Sequence, residues 1–397
     1  MTFRIRIDPD MLRKIQRLME DGLYKDEYDF FRRAIKNQLE DDYKEGFEQI
    51  TEPSHTSTEE KEVPKITFHF TSFQELKEKL NDALENTILT KYEKPIKSLQ
   101  ELLYGPGSAG FIWIFHNRFF PVKIVLYQLA SLIAEHKSNW IDLDELKENA
   151  SDLAAKMSDE LSKIETSYGS IVPSTGLPVS RNKLTQRYYR KRKKDEKINI
   201  RISSSKKRFA DQFVGRVVKK GSGEILFSGA CYEMGLISIE QEDDKWKVSL
   251  TENGKRFASM TNPLAENILT SNLSALNKSH TIFSEEEIQF IREKIYPLYE
   301  LENDISNTIL KLKDKITTEK IAEVVKTKKS HQMSTKYTKD ALDVIRTSYE
   351  LKPDEDTVEW IINRYLEFQA ANVVGKLSEL GLLKREMEGK QIYYRVT

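Results

Sequence analysis

A mostly α-helical chain with small β elements is what this sequence predicts, on three observations. Long stretches carry apolar residues at helical spacing, strictly alternating runs are short and few, and a helix stop of the form Gly-Leu-Ile or Gly-Leu-Leu is twice followed by a compact hairpin. At 397 residues there is room for two to four domains, and 39% hydrophobic against 32% charged residues is ordinary for a globular protein with linkers. Net charge is zero, so the total says nothing about nucleic acid; its distribution does. Sixteen Lys/Arg stand against three Asp/Glu over residues 181–220.

Residues 1–42 form the first predicted domain. Thr2 to Ile7 alternate strictly, with Phe3, Ile5 and Ile7 on one face and Thr2, Arg4 and Arg6 on the other. Asp8-Pro9 ends the strand and starts a helix, with Asp8 suited to the N-cap and Pro9 to the first turn. Met11, Leu12, Ile15, Leu18 and Met19 carry its apolar face, and Gly22 stops it. A second helix begins near Asp26 and turns Phe30, Phe31, Ala34, Ile35 and Leu39 inward.

This order of elements resembles the ribbon-helix-helix family of Arc/MetJ/CopG-type repressors, over about a tenth of the chain. The resemblance implies an antiparallel ribbon made by two chains and inserted in the major groove of double-stranded DNA. Carried over, Thr2, Arg4 and Arg6 face base edges, a role that suits arginine toward guanine and threonine toward a thymine methyl. Phe3, Ile5, Ile7, Phe31 and Ile35 form the homodimer core, because about forty residues bury too little surface alone. Lys25 is the cation at the start of the second helix, where the family holds a DNA phosphate. The sequence departs from the pattern there, since Asp26, Glu27 and Asp29 repel an anion.

Residues 43–66 read as an acidic, flexible linker rich in Pro, Ser and Thr. Residues 67–118 contain a helical segment whose stripe is Leu76, Leu80, Leu84, Ile88 and Leu89. The glycines at 105, 107 and 110 lack the Lys-Ser/Thr of a phosphate loop. In 119–180, Pro121 opens a long apolar helix and Asp144 to Ile164 form another, a possible winged-helix or helical unit.

Residues 181–262 combine a basic segment with a hairpin. Arg187, Arg190, Lys191, Arg192, Lys193, Lys194, Lys206, Lys207 and Arg208 are candidate DNA-phosphate contacts, since such density attracts phosphate through counterion release. The alternation of Ile198, Ile200 and Ile202 predicts a basic-faced strand. Gly235-Leu236-Ile237 ends a helix, a hairpin turns at Glu242-Asp243-Asp244, and Leu250 to Lys255 opens the next helix. Residues 263–333 read as a helical, coiled-coil-like connector broken at Pro297, used either as a dimer contact or spacer or to pack against its own domain. In 334–397 a helix stopped by Gly381 precedes strands Lys384–Met387 and Gln391–Val396. Helix, Gly-Leu-Leu and hairpin resemble the recognition helix and wing of MarR- and ArsR-like winged helices, which implies two or three such units with connecting helices. On that resemblance Asn372 and Lys376 face a DNA groove and Lys390 reaches phosphate from the wing; the alternative is that these units bind protein.

Chemistry of other kinds is not expected. One cysteine, Cys231, allows no internal disulfide and reads as a core thiol. The six histidines show no metal-ligand spacing, and no nucleophile elbow, phosphate loop or catalytic carboxylate pair stands out, so no cofactor, metal or enzymatic activity is predicted. Residues 111–134 are interrupted by His116, Arg118 and Lys123 and do not read as a membrane span. The expected protein is a cytoplasmic, nucleoid-associated, dimeric DNA-binding transcription regulator of prokaryotic type, archaea included. The alternative is an architectural or assembly DNA-binding protein that uses its winged helices to hold other proteins.

Overall fold

The most apolar stretch of the chain becomes its central helix. The computed structural model describes residues 72–85, 87, 89, 118–164, 174–188, 194–219, 225–270, 282–312, 315–332, 370–388 and 391–397. The chain divides into two units, Met1–Pro64 and Lys65–Thr397, and all described residues belong to the second. The predicted ribbon, with Thr2, Arg4, Arg6, Lys25 and the dimer core of Phe3, Ile5, Ile7, Phe31 and Ile35, lies outside them, as do residues 90–117.

The described part is mostly helical with small antiparallel sheets. Helix α1 (Phe73–Ala83) is capped by the Ser72 hydroxyl and buries Phe73, Leu76 and Leu80. Helix α2 (Phe120–His136) is buried from Phe120 through Ile133, and Pro121 fits its first turn, where no N–H partner is needed. Strand β1 (Ile141–Asp142) leads into α3 (Leu143–Ile164), with Asp142 accepting from the Asp144 and Glu145 N–H groups as its cap. Next come α4 (Arg181–Tyr188) and α5 (Lys194–Phe209), the latter continued by a π-turn at Ala210–Val214. A two-stranded hairpin, β2 (Arg216–Lys219) with β3 (Ile225–Ser228), precedes the short α6 (Ala230–Glu233). Strands β4 (Ile237–Glu242) and β5 (Lys245–Leu250) then pair across Asp243 and Asp244, both at positive φ as a tight two-residue turn requires.

Helices α7 (Glu252–Ser259), α8 (Pro263–Leu269) and α9 (Glu285–Phe290) close the larger core. A π-turn (Ile291–Ile295) and a short 3-10 turn holding Pro297 lead to α10 (Glu300–Leu310), β6 (Ile316–Thr317) and α11 (Thr318–Gln332). The last elements are α12 (370–379), β7 (Leu383–Glu388) and β8 (Gln391–Val396).

Two portions of the chain repeat one topology. The first sheet has the order β1-β5-β4 and the second β6-β8-β7, so in each a two-residue strand from far upstream joins the second strand of a hairpin. The match extends to single hydrogen bonds. Leu236 N–H donates to the Cys231 carbonyl and Gly235 N–H to Tyr232; Leu382 donates to Leu377 and Gly381 to Ser378 in the same pattern. Both are Schellman stops with glycine at positive φ, 70° and 69°. Ile237 faces Leu250 as Leu383 faces Val396, and Ile141 faces Val248 as Ile316 faces Tyr394. Even the closing residue is shared. Thr251 donates its N–H to Leu236 and its hydroxyl to Gly235, and Thr397 does the same to Leu382 and Gly381. In sequence, Gly229–Leu236 and Gly375–Leu382 share the pattern Gly-x-x-x-Glu-x-Gly-Leu.

This architecture corrects two expectations and decides a third. Residues 119–180 and 181–262 are not separate units, because β1 of one completes the sheet of the other. Of the two uses open to the 263–333 segment, the described residues pack against the chain's own cores: Ile291 and Ile295 belong to the larger core, while Leu301, Ile305 and Ile309 belong to a smaller one with Val373 and Leu377. Its β6 likewise completes the C-terminal sheet. Residues 198–202 are helical in α5, not a strand. Cys231 is a buried core thiol, with its acidity suppressed by burial.

Candidate nucleic-acid interface

The helix that precedes each hairpin is where a groove-reading element was expected, and in both repeats it faces inward. In the first repeat α6 is a single turn, with Ala230, Cys231, Tyr232 and Glu233 all buried. In the second, α12 is longer, and its polar residues Asn372, Lys376 and Glu379 are buried while Ser378 is partly exposed. Lys376 is 0% exposed and paired with Glu302 on α10, so its assignment to DNA phosphate is overturned.

The Glu379 carboxylate accepts from the Phe119 and Phe120 N–H groups at 2.7 and 3.0 Å, beside the Arg118 guanidinium. It thereby satisfies donors at the start of α2, whose cap residue Phe119 offers no side-chain oxygen. Burial pushes the Glu379 carboxyl up to about 7, against the pull of Arg118 and those N–H bonds. Gly375 lies under the same guanidinium, and a Cβ there would collide with it. Burial likewise lowers the Arg118 and Lys376 pKa values, opposed by Glu379 and Glu302 respectively.

A second closed site lies in the first repeat. Lys123 is fully buried, 3.0 Å from a Glu287 oxygen, and donates to the Phe257 and Met260 carbonyls, both at 2.5 Å. The rings of Phe73 and Phe257 sit 4.8 and 4.9 Å from its ammonium. Glu287 also receives Asn262 and completes a capping box with Ser284. Desolvation lowers the lysine and raises the glutamate, each opposed by the other. With both side chains at 0% exposure, the pair ties α2 to α9 and has no opening to a substrate.

The two hairpins differ in charge. Glu240, Glu242, Asp243 and Asp244 are exposed on the first beside Lys245, and Lys247 is drawn to Glu242, so this hairpin is acidic on balance and disfavours phosphate. On the second, Lys384 is exposed, Arg395 lies 3.2 Å from Glu386 and Lys315 pairs with Glu388. Lys390 is outside the described residues.

What remains is the α4–α5 pair. Arg181, Lys183, Lys197, Lys207 and Arg208 are exposed, with Arg216 just beyond on β2. Helix α5 is anchored by buried Ile198, Ser205 and Phe209 and by Lys206, whose ammonium lies 2.5 Å from Asp152 on α3. The Ser205 hydroxyl receives the Val179 N–H at 3.1 Å, and Arg181 donates to Asn199 at 2.7 Å, which fixes α5 against the segment leading into α4. Of the predicted phosphate contacts, Lys207 and Arg208 are therefore presented outward and Lys206 is engaged internally. Asp211, its pKa raised by burial, is an acid near Lys207 and Arg216. Arg190, Lys191, Arg192 and Lys193 lie outside the described residues, as do the side chains of Arg187 and Lys194.

Among the described residues, no helix is long and apolar enough to cross a membrane and no group of three or more His, Cys, Asp or Glu side chains is placed to hold a metal. Comparison with known proteins finds no matching family model, no matching curated protein and no matching solved structure.

Proposed function

We propose that the chain is a DNA-binding protein, a prokaryotic transcription regulator that holds duplex phosphate on α4 and α5 and reads a short palindromic site through a dimeric ribbon at residues 1–42. The observation that carries the phosphate contact is the outward cation face of α4 and α5, with Lys197, Lys207 and Arg208 exposed on one rigidly anchored helix. Cations in that density repel one another, and a polyanion relieves the repulsion. Both repeats are read as winged helices, on the order of helix, short strand, helices and hairpin with the first strand beside the third.

A specific observation favours the architectural reading for the winged helices themselves. Their pre-hairpin helices are occupied by internal contacts, Glu379 with α2 and Lys376 with Glu302. They serve as the body that carries the basic face, whether the protein regulates one operon or organises DNA more broadly.

The test is the affinity of the full chain for a random-sequence duplex between about 50 and 200 mM salt. Reversing Lys207 and Arg208 to Glu is expected to weaken binding to every sequence and to flatten the log–log salt slope by about 2. Binding that is indifferent to salt, or unchanged in the variant, contradicts the proposal.

A further inference from the structure

Helix α5 carries more than charge. Its inner side is lined by Ile198, Ile202, Ser205 and Phe209, at spacings of four, three and four. Its outer side presents Lys197, Ile200, Ser204, Lys207 and Arg208, all exposed and all within one helical stripe. Ile200 is 59% exposed, the most exposed of the three large apolar side chains that reach solvent among the described residues. A bulky aliphatic left more than half exposed in the middle of a cationic stripe contributes little to the core and offers apolar surface to a partner. The two acids of α5, Asp195 and Glu196, fall in its first turn, where the helix macrodipole favours them.

Resting on the DNA-binding reading above, we infer that α5 enters the major groove, with Ile200 packed on a thymine methyl, Ser204 facing a base edge, and Lys197, Lys207 and Arg208 on the flanking phosphates. The dimensions agree. Sixteen residues give a rod of about 24 Å, and the major groove admits one α-helix across its width. The chemistry agrees as well, because a methyl group on a base edge is a major-groove feature and an aliphatic side chain is its complement. Phosphate contact alone leaves Ile200 in water; groove insertion desolvates it between two walls of phosphate that the three cations match. An acidic protein surface would also satisfy the cations, and the thymine-to-uracil comparison below separates it from a duplex groove.

The experiment selects duplexes from a random-core library with the full chain, then replaces each thymine of the enriched sequence by uracil, which removes one methyl at a time. The wild-type chain is expected to lose about three- to tenfold in affinity at one thymine, the effect of one or two buried methyl-sized groups. Ile200→Ala is expected to bind the thymine and uracil forms of that position equally, while retaining its salt slope. Ile200 is exposed, so this substitution spares the fold. An identical uracil profile in wild type and Ile200→Ala overturns the inference and leaves the broader reading intact where duplex binding stays salt-dependent; a library that yields no enriched sequence overturns the inference together with the palindrome-reading part of the proposed function, leaving duplex binding alone. Failure of the full chain to retain any duplex at low salt overturns both.

Discussion

The two repeats share a hairpin down to individual hydrogen bonds and differ in nearly everything packed around it. The first is held by a large core rich in aromatic rings, including Phe119, Phe213, Phe227, Phe257, Phe283 and Phe290, with Lys123 and Glu287 as a sealed polar knot. Among the described residues, the second has a smaller core of aliphatic side chains, and its α12 is fixed by the Lys376–Glu302 ion pair and by Glu379 beside Arg118. Both repeats combine buried area with a buried ion pair, Lys123–Glu287 in the first and Lys376–Glu302 in the second, and the described aromatic area is concentrated in the first. Burial of apolar surface is spread over many residues, so any one is replaceable within limits. A buried ion pair concentrates its contribution in two side chains, and removing one strands the other.

Substitutions can break this comparison. The largest effect is expected from Lys123→Met, which leaves Glu287 charged and buried and frees two carbonyl oxygens. A loss of about 3–5 kcal/mol of stability is predicted for the first repeat, read by denaturant unfolding. An effect under about 1 kcal/mol would mean that solvent reaches the pair.

Glu379→Ala is expected to cost about as much but to act where α12 meets α2, because Arg118 loses its partner and two N–H groups at the start of α2 lose their acceptor, which frees α12. Limited proteolysis should then release the segment after residue 300 while the first repeat persists. Joint unfolding of both repeats would contradict this.

The smallest expected effect is a pH dependence. The Glu379 carboxyl is raised from 4.5 to about 7 in the folded chain. A raised carboxyl holds its proton more tightly when folded, so its contribution is complete below about pH 4.5 and is lost as pH rises through 7. Thermal stability of the second repeat should therefore fall across that window, and Glu379→Gln should flatten the fall. A wild-type profile identical to that of Glu379→Gln would remove the carboxyl as its cause.

The sequence made local features legible and hid those that depend on distance. Gly235 and Gly381 announce their helix stops because a left-handed residue after a helix suits glycine, and Asp243-Asp244 announces its turn for a similar backbone reason. The two-residue strands at 141–142 and 316–317 are too short to carry an alternation, so the joining of 119–180 with 181–262 could not be read. The α5 helix was misassigned because Ile198, Ile200 and Ile202 satisfy a period of two, while Ile198, Ile202, Ser205 and Phe209 satisfy the helical period equally well. Burial of Ile198 and exposure of Ile200 decide between them. Lys376 illustrates the opposite difficulty. A lysine on a candidate recognition helix looks like a phosphate contact until Glu302, 74 positions away in the chain (376 − 302), is seen to neutralise it.

The most direct measurement of the central claim is lysine acetylation of the full chain with and without duplex DNA, read by mass spectrometry. Lys197 and Lys207 should react freely and become protected by DNA, while Lys376 should stay unreactive in both states. Protection at Lys384 with no change at Lys197 and Lys207 would contradict the account and return the interface to the hairpins.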